Sequence, residues 1–218
     1  MLKEKQTSGT YLSITGGEFR QTVTEGTPGA KKRDWETKDG KSGTKWEKPY
    51  ESLSGKITGI NFYDGDYGKN ITVFIQDGEE NYGLSLGVAS QYAEDLMKKI
   101  PALDLDKDVT LIPYDFEDDK GRRRKGITVK QGGEKVSNFF YDAEKKTQIN
   151  GAPSPEGDVS MFDSEDWKMY YTKLRKYVIN FITEKIVPKL GELPRTETGS
   201  VGYGNKLDDF DSEVESPF

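Results

Sequence analysis

The sequence contains neither cysteine nor histidine. Their absence excludes disulfides, thiol nucleophiles, imidazole general bases and zinc sites built from these residues. No apolar run approaches the roughly 18 residues that a membrane-spanning helix needs, and residues 1–5 lack the apolar segment of a signal peptide. We therefore expect a soluble protein of the cytoplasm.

Apolar residues are also scarce, at 33% of the 218 residues, while charged residues make up 32%. This length favours one domain with appendages. The net charge is -6, but five acidic residues lie in the last twelve positions, so residues 1–206 carry 32 basic and 33 acidic side chains. Because the body is nearly neutral, basic residues that bind a ligand must occur in local clusters.

The last twelve residues, 207–218, hold no Lys or Arg and end on Pro217 and Phe218. A run this acidic cannot bury enough apolar surface to fold, so residues 191–218 are predicted to be a disordered tail. Such a tail can occupy a basic pocket with an apolar floor, on a partner or on the protein's own ligand groove; a plain solubility tail is the alternative. The candidate partner-binding residues are Asp208, Asp209, Phe210, Asp211, Glu213, Glu215, Pro217 and Phe218.

Period-two patterns predict a mainly β body. Two short runs, Thr10–Thr15 and Glu18–Thr24, flank Gly16-Gly17 and predict a tight hairpin. Residues 24–49 are polar and predict a projecting loop or extended hairpin. Further strands are predicted over Tyr50–Tyr63, Lys69–Gln76, Glu80–Leu86, Val109–Phe116 and Gly126–Lys130, with Glu134–Tyr141 prolonging the sheet. Gly55 and Gly59 predict a bend or bulge in the first of these five.

A helix is predicted over Ser90–Ile100, because Ser90 is a good N-cap and Pro101 ends an apolar i, i+3, i+4, i+7 pattern. Three strands, a helix and two more strands are typical of a five-stranded OB barrel. Residues 1–150 are therefore predicted to form an OB-fold domain. After a linker at 151–162, a second amphipathic helix is expected within residues 163–190. Its apolar face comprises Trp167, Tyr170, Tyr171, Leu174, Val178, Phe181 and Ile182.

This second helix, predicted over Asp163–Val187, should pack on the barrel or on a second copy of the chain. Direct contact with nucleic acid is the alternative.

Signatures of catalysis are thin. Residues 40–42 resemble the end of a phosphate-binding loop, but Trp35 stands where the first Gly should be. The turn that begins at Asp64 lacks the bidentate Glu of a calcium loop, since Ile75 takes that position. Adjacent acids at 118–119 and 208–209 are typical of solvated surface. We expect no enzyme, no cofactor and no metal; a metal-dependent nuclease is the alternative.

Residues 31–50 interleave cations with large aromatic rings. Ammonium and guanidinium groups neutralise phosphates, and flat rings stack on unpaired bases at about 1–3 kcal/mol each whatever the base. The pattern predicts sequence-independent binding of single-stranded nucleic acid; alternatively, the two tryptophans pin this segment onto the body. The candidate residues are Lys31, Lys32, Arg33, Trp35, Lys45, Trp46, Lys48 and Tyr50.

A second basic cluster lies between the last two predicted strands, where an OB barrel has one of the loops that flank its oligonucleotide face. Phosphate contacts are predicted for Arg122, Arg123, Arg124 and Lys125. The alternative is an ordinary charged loop that Glu117, Asp118 and Asp119 balance.

Phe74 alternates with Ile71, Val73 and Ile75 and should point away from the core, on a strand at the centre of the OB binding face. Gly83 and Ser85 on the next strand would leave space for a base, and Tyr63, Tyr67 and Lys69 would extend the track. Alternatively, the second helix or the 25–49 segment covers Phe74.

Several stretches of this sequence resemble phage-type single-stranded-DNA-binding proteins of the OB-fold class. They are Gly-Thr-Pro-Gly-Ala-Lys-Lys-Arg (26–33), Ser-Leu-Ser-Gly-Lys-Ile-Thr (52–58), Asp-Gly-Asp-Tyr-Gly-Lys-Asn (64–70) and Val-Ser-Asn-Phe-Phe-Tyr (136–141). The resemblance covers roughly residues 10–141 and the tail, but not the second helix. The tail departs from the bacterial pattern of consecutive aspartates before Ile-Pro-Phe, which puts docking on the usual host partners in doubt.

The resemblance implies a protein that coats transient single-stranded DNA in replication, recombination or repair, in the host cytoplasm if a phage encodes it. It implies that the tail recruits a polymerase, primase or helicase and competes with DNA for the basic groove. RNA as the ligand and an OB-fold scaffold for protein interaction remain alternatives.

Overall fold

The computed structural model describes residues 9–36, 40–66 and 68–191, and strands dominate these ranges. The strands are β1 (Thr10–Thr15), β2 (Glu18–Val23), β3 (Lys31–Glu36), β4 (Ser42–Tyr50), β5 (Leu53–Gly65), β6 (Gly68–Asp77), β7 (Glu80–Gly87), β8 (Val109–Glu117), β9 (Arg123–Gln131), β10 (Glu134–Lys135), β11 (Tyr141–Asp142) and β12 (Thr147–Gln148). The prediction of a mainly β protein is confirmed.

Within the described ranges, the first ten strands form one sheet in the order β10-β9-β8-β5-β6-β7-β1-β2-β4-β3. Strand β1 pairs in parallel with β7 and antiparallel with β2. Strand β5 pairs with β8 near its start and with β6 along most of its length. Its register shifts between Ile57 and Gly59, and Gly55 has a φ of 146°. The predicted bend in this strand is therefore confirmed.

The described strands do not form the predicted five-stranded barrel, because they pair in one open ten-stranded sheet. Helix α1 (Gln91–Lys99) packs against β9, on the side of that strand away from β8. The carboxylate of Asp95 accepts a hydrogen bond from the backbone N–H of Ile127 at 2.8 Å. The ammonium of Lys99 donates to the backbone carbonyl of Ile127 at 2.7 Å. These side chains satisfy the backbone N–H and carbonyl of Ile127, and β7 pairs with β1 and not with β9.

Helix α1 itself follows the sequence pattern. The side chain of Ser90 caps its N-terminus by accepting a hydrogen bond from the backbone N–H of Ala93. Ala93, Leu96 and Met97 are buried against the sheet, and the chain leaves the helix through a 3-10 turn at Ile100–Ala102. The predicted helix between the third and fourth strands of the meander is confirmed.

The polar segment at 24–49 contains the β3–β4 hairpin, which forms one end of the sheet. The hairpin interpretation is therefore confirmed over the loop interpretation. Tyr50 belongs to this hairpin and not to the following strand, which begins at Leu53.

Helix α2 (Ser164–Phe181) begins with a capping box, in which Asp163 and Asp166 satisfy each other's backbone N–H groups. A π-helical turn (Ile182–Ile186) and a 3-10 turn (Val187–Lys189) continue it. Tyr170, Leu174 and Val178 join the same buried core as the sheet and α1.

The guanidinium of Arg175 also pairs with the carboxylate of Glu94 on α1, at 2.8 Å from Nε. The predicted packing of this helix on the body is confirmed. No helix in the described part of the chain is long and apolar enough to cross a membrane. The acidic tail lies outside the described residues.

Candidate nucleic-acid interface

Alternation along the strands gives the sheet two distinct faces. Ile71, Val73 and Ile75 of β6 point to the core and are buried, as the sequence predicted. The opposite face of strands β5, β6, β7, β1, β2, β4 and β3 is here called the front face. Its aromatic and basic side chains include Tyr11, Arg20, Lys31, Arg33, Trp35, Lys45, Tyr63 and Phe74.

Strand register places several of these residues in one row. Phe74 on β6 lies opposite Gly83 on β7, and Gly83 lies opposite Tyr11 on β1. The row continues with Thr22 on β2. Thr22 lies opposite Tyr11, because Leu12 pairs with Gln21 and the two strands are antiparallel. It then reaches the carboxylate residue Glu47 on β4 and Lys31 on β3. Five strand spacings give the row a length of about 24 Å.

Tyr11 was missed as a site residue, although half of its surface is exposed. Its ring lies over Gly83, where a Cβ would stand 2.9 Å from the ring carbons. Only glycine leaves room for the ring at this position. The expectation of an open space above Gly83 is therefore wrong, because Tyr11 fills it. Alternation with buried Leu12 and Ile14 was the signal that could have placed Tyr11 on the front face.

Hydroxyl groups lie beside this aromatic row. The phenol of Tyr63 and the hydroxyl of Ser85 are 2.9 Å apart, and the hydroxyl of Thr72 donates to Ser85 at 3.4 Å. Tyr63 is 40% exposed and Phe74 is half-buried. This part of the front face offers rings for stacking and hydroxyls for hydrogen bonds to sugar or phosphate.

The basic part of the front face is organised around one buried acid, Glu47, whose side chain is 1% exposed. Arg33 donates from Nε to its carboxylate at 2.9 Å, and the ammonium of Lys45 lies 2.9 Å from the other oxygen. Burial alone raises the pKa of Glu47, but the pairs with Lys45 and Arg33 outweigh it and hold the pKa below its usual value. Glu47 therefore stays ionised and fixes both cations. We call these three residues the Glu47 cluster.

The eight candidate residues of the hairpin divide between the two faces. Four of them lie on the opposite face of the hairpin: Lys32, Trp46, Lys48 and Tyr50. There the ammonium of Lys48 lies 5.4 Å from the ring centre of Tyr50, and the phenol of Tyr50 donates to Gln21 at 2.7 Å. The indole of Trp35 lies on the front face against Gly43. A single strand on one face therefore reaches about half of the predicted set.

The segment here called the arginine loop (residues 118–125) comprises the β8–β9 turn and the first three residues of β9. Carboxylates hold its arginines in place. Arg123 makes a bidentate pair with Asp115 at 2.7 and 2.9 Å. Arg122 and Arg124 both donate to Asp118, at 3.2 and 3.0 Å. The backbone N–H of Arg122, followed by further donors in the loop, holds the pKa of Asp118 well below its usual range.

The arginine loop lies apart from the aromatic row. The backbone N–H of Gly17, in the β1–β2 turn, donates to Tyr92, whose phenol in turn donates to Asp115. Tyr11 is six residues from this turn, about 20 Å along an extended strand. An exposed aromatic that the sequence analysis missed, Phe116, lies opposite Arg124 at the base of the loop.

Two further candidates are Lys69 and Tyr67. Lys69 pairs with Asp64 at 3.5 Å. Tyr67 lies outside the described residues, as do the tail residues from Asp208 to Phe218. In the described ranges, no group of three or more acidic side chains is placed to hold a metal ion.

Comparison of the chain with protein-family models, curated proteins and solved structures gave no significant match.

Proposed function

We propose that this protein binds single-stranded DNA, without sequence preference, on the front face of its sheet. The observation that carries the proposal is the row in which Phe74, Tyr11 and the cations around Glu47 occupy neighbouring strand positions. Rings that accept any base, next to cations that accept any phosphate, give affinity without reading sequence.

The strand arrangement is consistent with this role. Strands β5, β6 and β7, helix α1, and strands β8 and β9 follow the chain order of an OB fold, and β8 returns to pair with β5. We propose that these elements are an OB-like unit, which the β1–β2 and β3–β4 hairpins extend. In OB folds the second and third strands carry the oligonucleotide face, and here they correspond to β6 and β7.

The biological role follows from the proposed ligand. A protein that covers bases and neutralises phosphates, regardless of sequence, protects transient single strands in replication, recombination or repair. The acidic tail would recruit replication proteins such as a polymerase, primase or helicase, as the resemblance to phage-type proteins implies. Because the tail is a polyanion with a terminal aromatic ring, it would also compete with DNA for the front face.

A scaffold for protein interaction is the second candidate. The observation that favours it is the arginine loop, where Arg122, Arg123 and Arg124 are already paired with Asp115 and Asp118. A paired and structured loop suits recognition of a folded partner as well as it suits phosphate.

Fluorescence anisotropy with labelled oligo(dT) tests the proposal, at low and moderate salt and with an equal-length duplex as competitor. Tight, salt-sensitive binding that the duplex does not displace is the expected result. Labelled oligo(rU) in parallel distinguishes DNA from RNA as the preferred strand. Absence of binding by both the full chain and a chain without residues 207–218 would favour the scaffold for protein interaction. Mg²⁺-dependent degradation of the oligonucleotide would favour the metal-dependent nuclease.

A further inference from the structure

A buried acid in the middle of a surface proposed to bind a polyanion needs an explanation. Glu47 lies on the front face, opposite Lys31 on one neighbouring strand and Thr22 on the other. By charge alone it opposes the binding of DNA, and its removal would make the face more positive. Burying an ionised carboxylate is also costly unless charged partners compensate for the lost water.

The geometry points to Glu47 as a positioning residue: we propose that it holds Arg33 and Lys45 in a fixed arrangement that binds one phosphodiester of the bound strand. This inference rests on the proposed function of the front face. An acidic residue thereby strengthens the binding of an acidic ligand.

The donor capacity of the cluster supports a phosphate site. A guanidinium carries five N–H donors and an ammonium three. The bonds to Glu47 use Nε and one terminal nitrogen of Arg33, at 2.9 and 3.4 Å, and one donor of Lys45. The remaining donor capacity can serve a phosphate that approaches from the solvent side, where the side chains of Arg33 and Lys45 are 28% and 24% exposed.

Fixation matters because these side chains are long and flexible. A free Arg or Lys loses much of its rotamer freedom when it is ordered, and this loss opposes binding. In this protein, Glu47 has already ordered both cations before a ligand arrives. The charge of the cluster is +1, and Lys31, directly opposite Glu47, adds a further cation on the same face. A pre-ordered cluster of cations therefore binds phosphate at a lower entropic cost than free surface lysines do.

The test compares two acid-to-amide changes in one hairpin. Glu47→Gln removes the buried acid, while Asp34→Asn removes an acid that is 76% exposed and lies on the opposite face. We expect Glu47→Gln to weaken binding to labelled oligo(dT) by about fivefold, the loss of one charge-assisted contact. Asp34→Asn should leave binding unchanged or make it tighter. Circular dichroism and thermal unfolding check that each variant is folded.

Glu47→Gln is also tested in a protein that lacks both cations, which distinguishes a positioning role of Glu47 from general damage to the fold. In an Arg33→Ala, Lys45→Ala protein, Glu47 has no cations to position, so Glu47→Gln should no longer weaken binding. Glu47→Asp keeps the charge but shortens the side chain by one methylene. It should also weaken binding, and it replaces Glu47→Gln if that variant does not fold.

Tighter binding by Glu47→Gln, or an equal loss in both backgrounds, overturns the inference and leaves the proposed function intact. Absence of binding by the unmodified protein overturns the proposed function itself, before any variant is compared.

Discussion

Two basic regions of this molecule, the Glu47 cluster and the arginine loop, place similar charges in different surroundings. In the Glu47 cluster, Arg33 and Lys45 share one buried acid within a row that continues into Tyr11 and Phe74. In the arginine loop, Asp118 accepts hydrogen bonds from the backbone of residues 120 and 122 as well as from two arginines. The ion pairs of the arginine loop therefore fix the conformation of a turn, whereas those of the Glu47 cluster fix two cations on the front face of the sheet.

The density of positive charge along a sequence therefore does not by itself identify a binding surface. Three consecutive arginines are the most basic run of the chain, yet each has an acidic partner nearby. What distinguishes the Glu47 cluster is its continuity with rings on neighbouring strands. Binding experiments on variants of each region test whether the two regions contribute differently to DNA binding.

The largest effect is expected from the aromatic row. Replacing Tyr11 and Phe74 together by Ala should weaken binding to oligo(dT) by at least about 30-fold, because each lost stack costs about 1–3 kcal/mol. Anisotropy measures the change, and Met169→Ala, an exposed apolar residue on α2, is the matched control. Equal affinity of the double variant and the control for oligo(dT) would exclude the front face as the DNA-binding site.

The second largest effect is expected on the salt dependence of binding, which should differ between variants of the Glu47 cluster and variants of the arginine loop. Replacing Arg33 and Lys45 by Ala should make the slope of log K against log salt shallower by about 0.7, because the two cations together contact one phosphate of a single strand. Replacing Arg122, Arg123 and Arg124 by Ala should change the slope by less than about 0.7, since these arginines are committed to the loop. A larger change for the arginine loop would reverse the comparison.

Deleting residues 207–218 tests competition for the same surface. We expect the truncated chain to bind oligo(dT) about three- to tenfold more tightly at low salt, with the difference shrinking as salt screens the tail. Titration of both chains over a range of salt measures this. Weaker or unchanged binding by the truncated chain would contradict the competition.

The smallest effect concerns stability. Glu47→Gln should lower the free energy of unfolding at pH 7 by about 1 kcal/mol, because a charge-assisted pair becomes a neutral one. In the folded protein the pKa of Glu47 lies below its usual value of 4.5, so the stabilising contribution is complete above that pH and is lost as pH falls through the lowered pKa. Denaturation of both proteins from pH 7 to pH 3 should show the difference shrinking toward the acidic end. A difference that is constant with pH would exclude the ionised pair as its source.

Local features of the fold could be predicted from the sequence. The alternation of apolar and polar residues predicted most of the strands. Ser90 and Pro101 predicted the ends of the first helix, and Gly16-Gly17 predicted the first hairpin. The open sheet could not be predicted, because it depends on contacts far apart in the chain. The parallel pairing of β1 with β7 and the capping of Ile127 by Asp95 and Lys99 have no local signal.

The candidate site was predictable to a similar degree. Residue types pointed to the hairpin and to Phe74, and alternation alone divides the hairpin between two faces. Tyr11 joins the site only through its pairing with Gly83, and Glu47 only through Arg33 and Lys45 folding over it. An acid within a basic segment has no sequence signal that distinguishes it from solvated surface.

The most direct measurement of the central claim is photo-crosslinking of the unmodified protein to an oligonucleotide that carries 5-iododeoxyuridine, with the crosslinked residues identified by mass spectrometry. The front-face account predicts crosslinks at Tyr11, Phe74 and Trp35. Crosslinks confined to Trp46 and Tyr50 on the opposite face of the hairpin, or to the aromatic residues of α2, would contradict it.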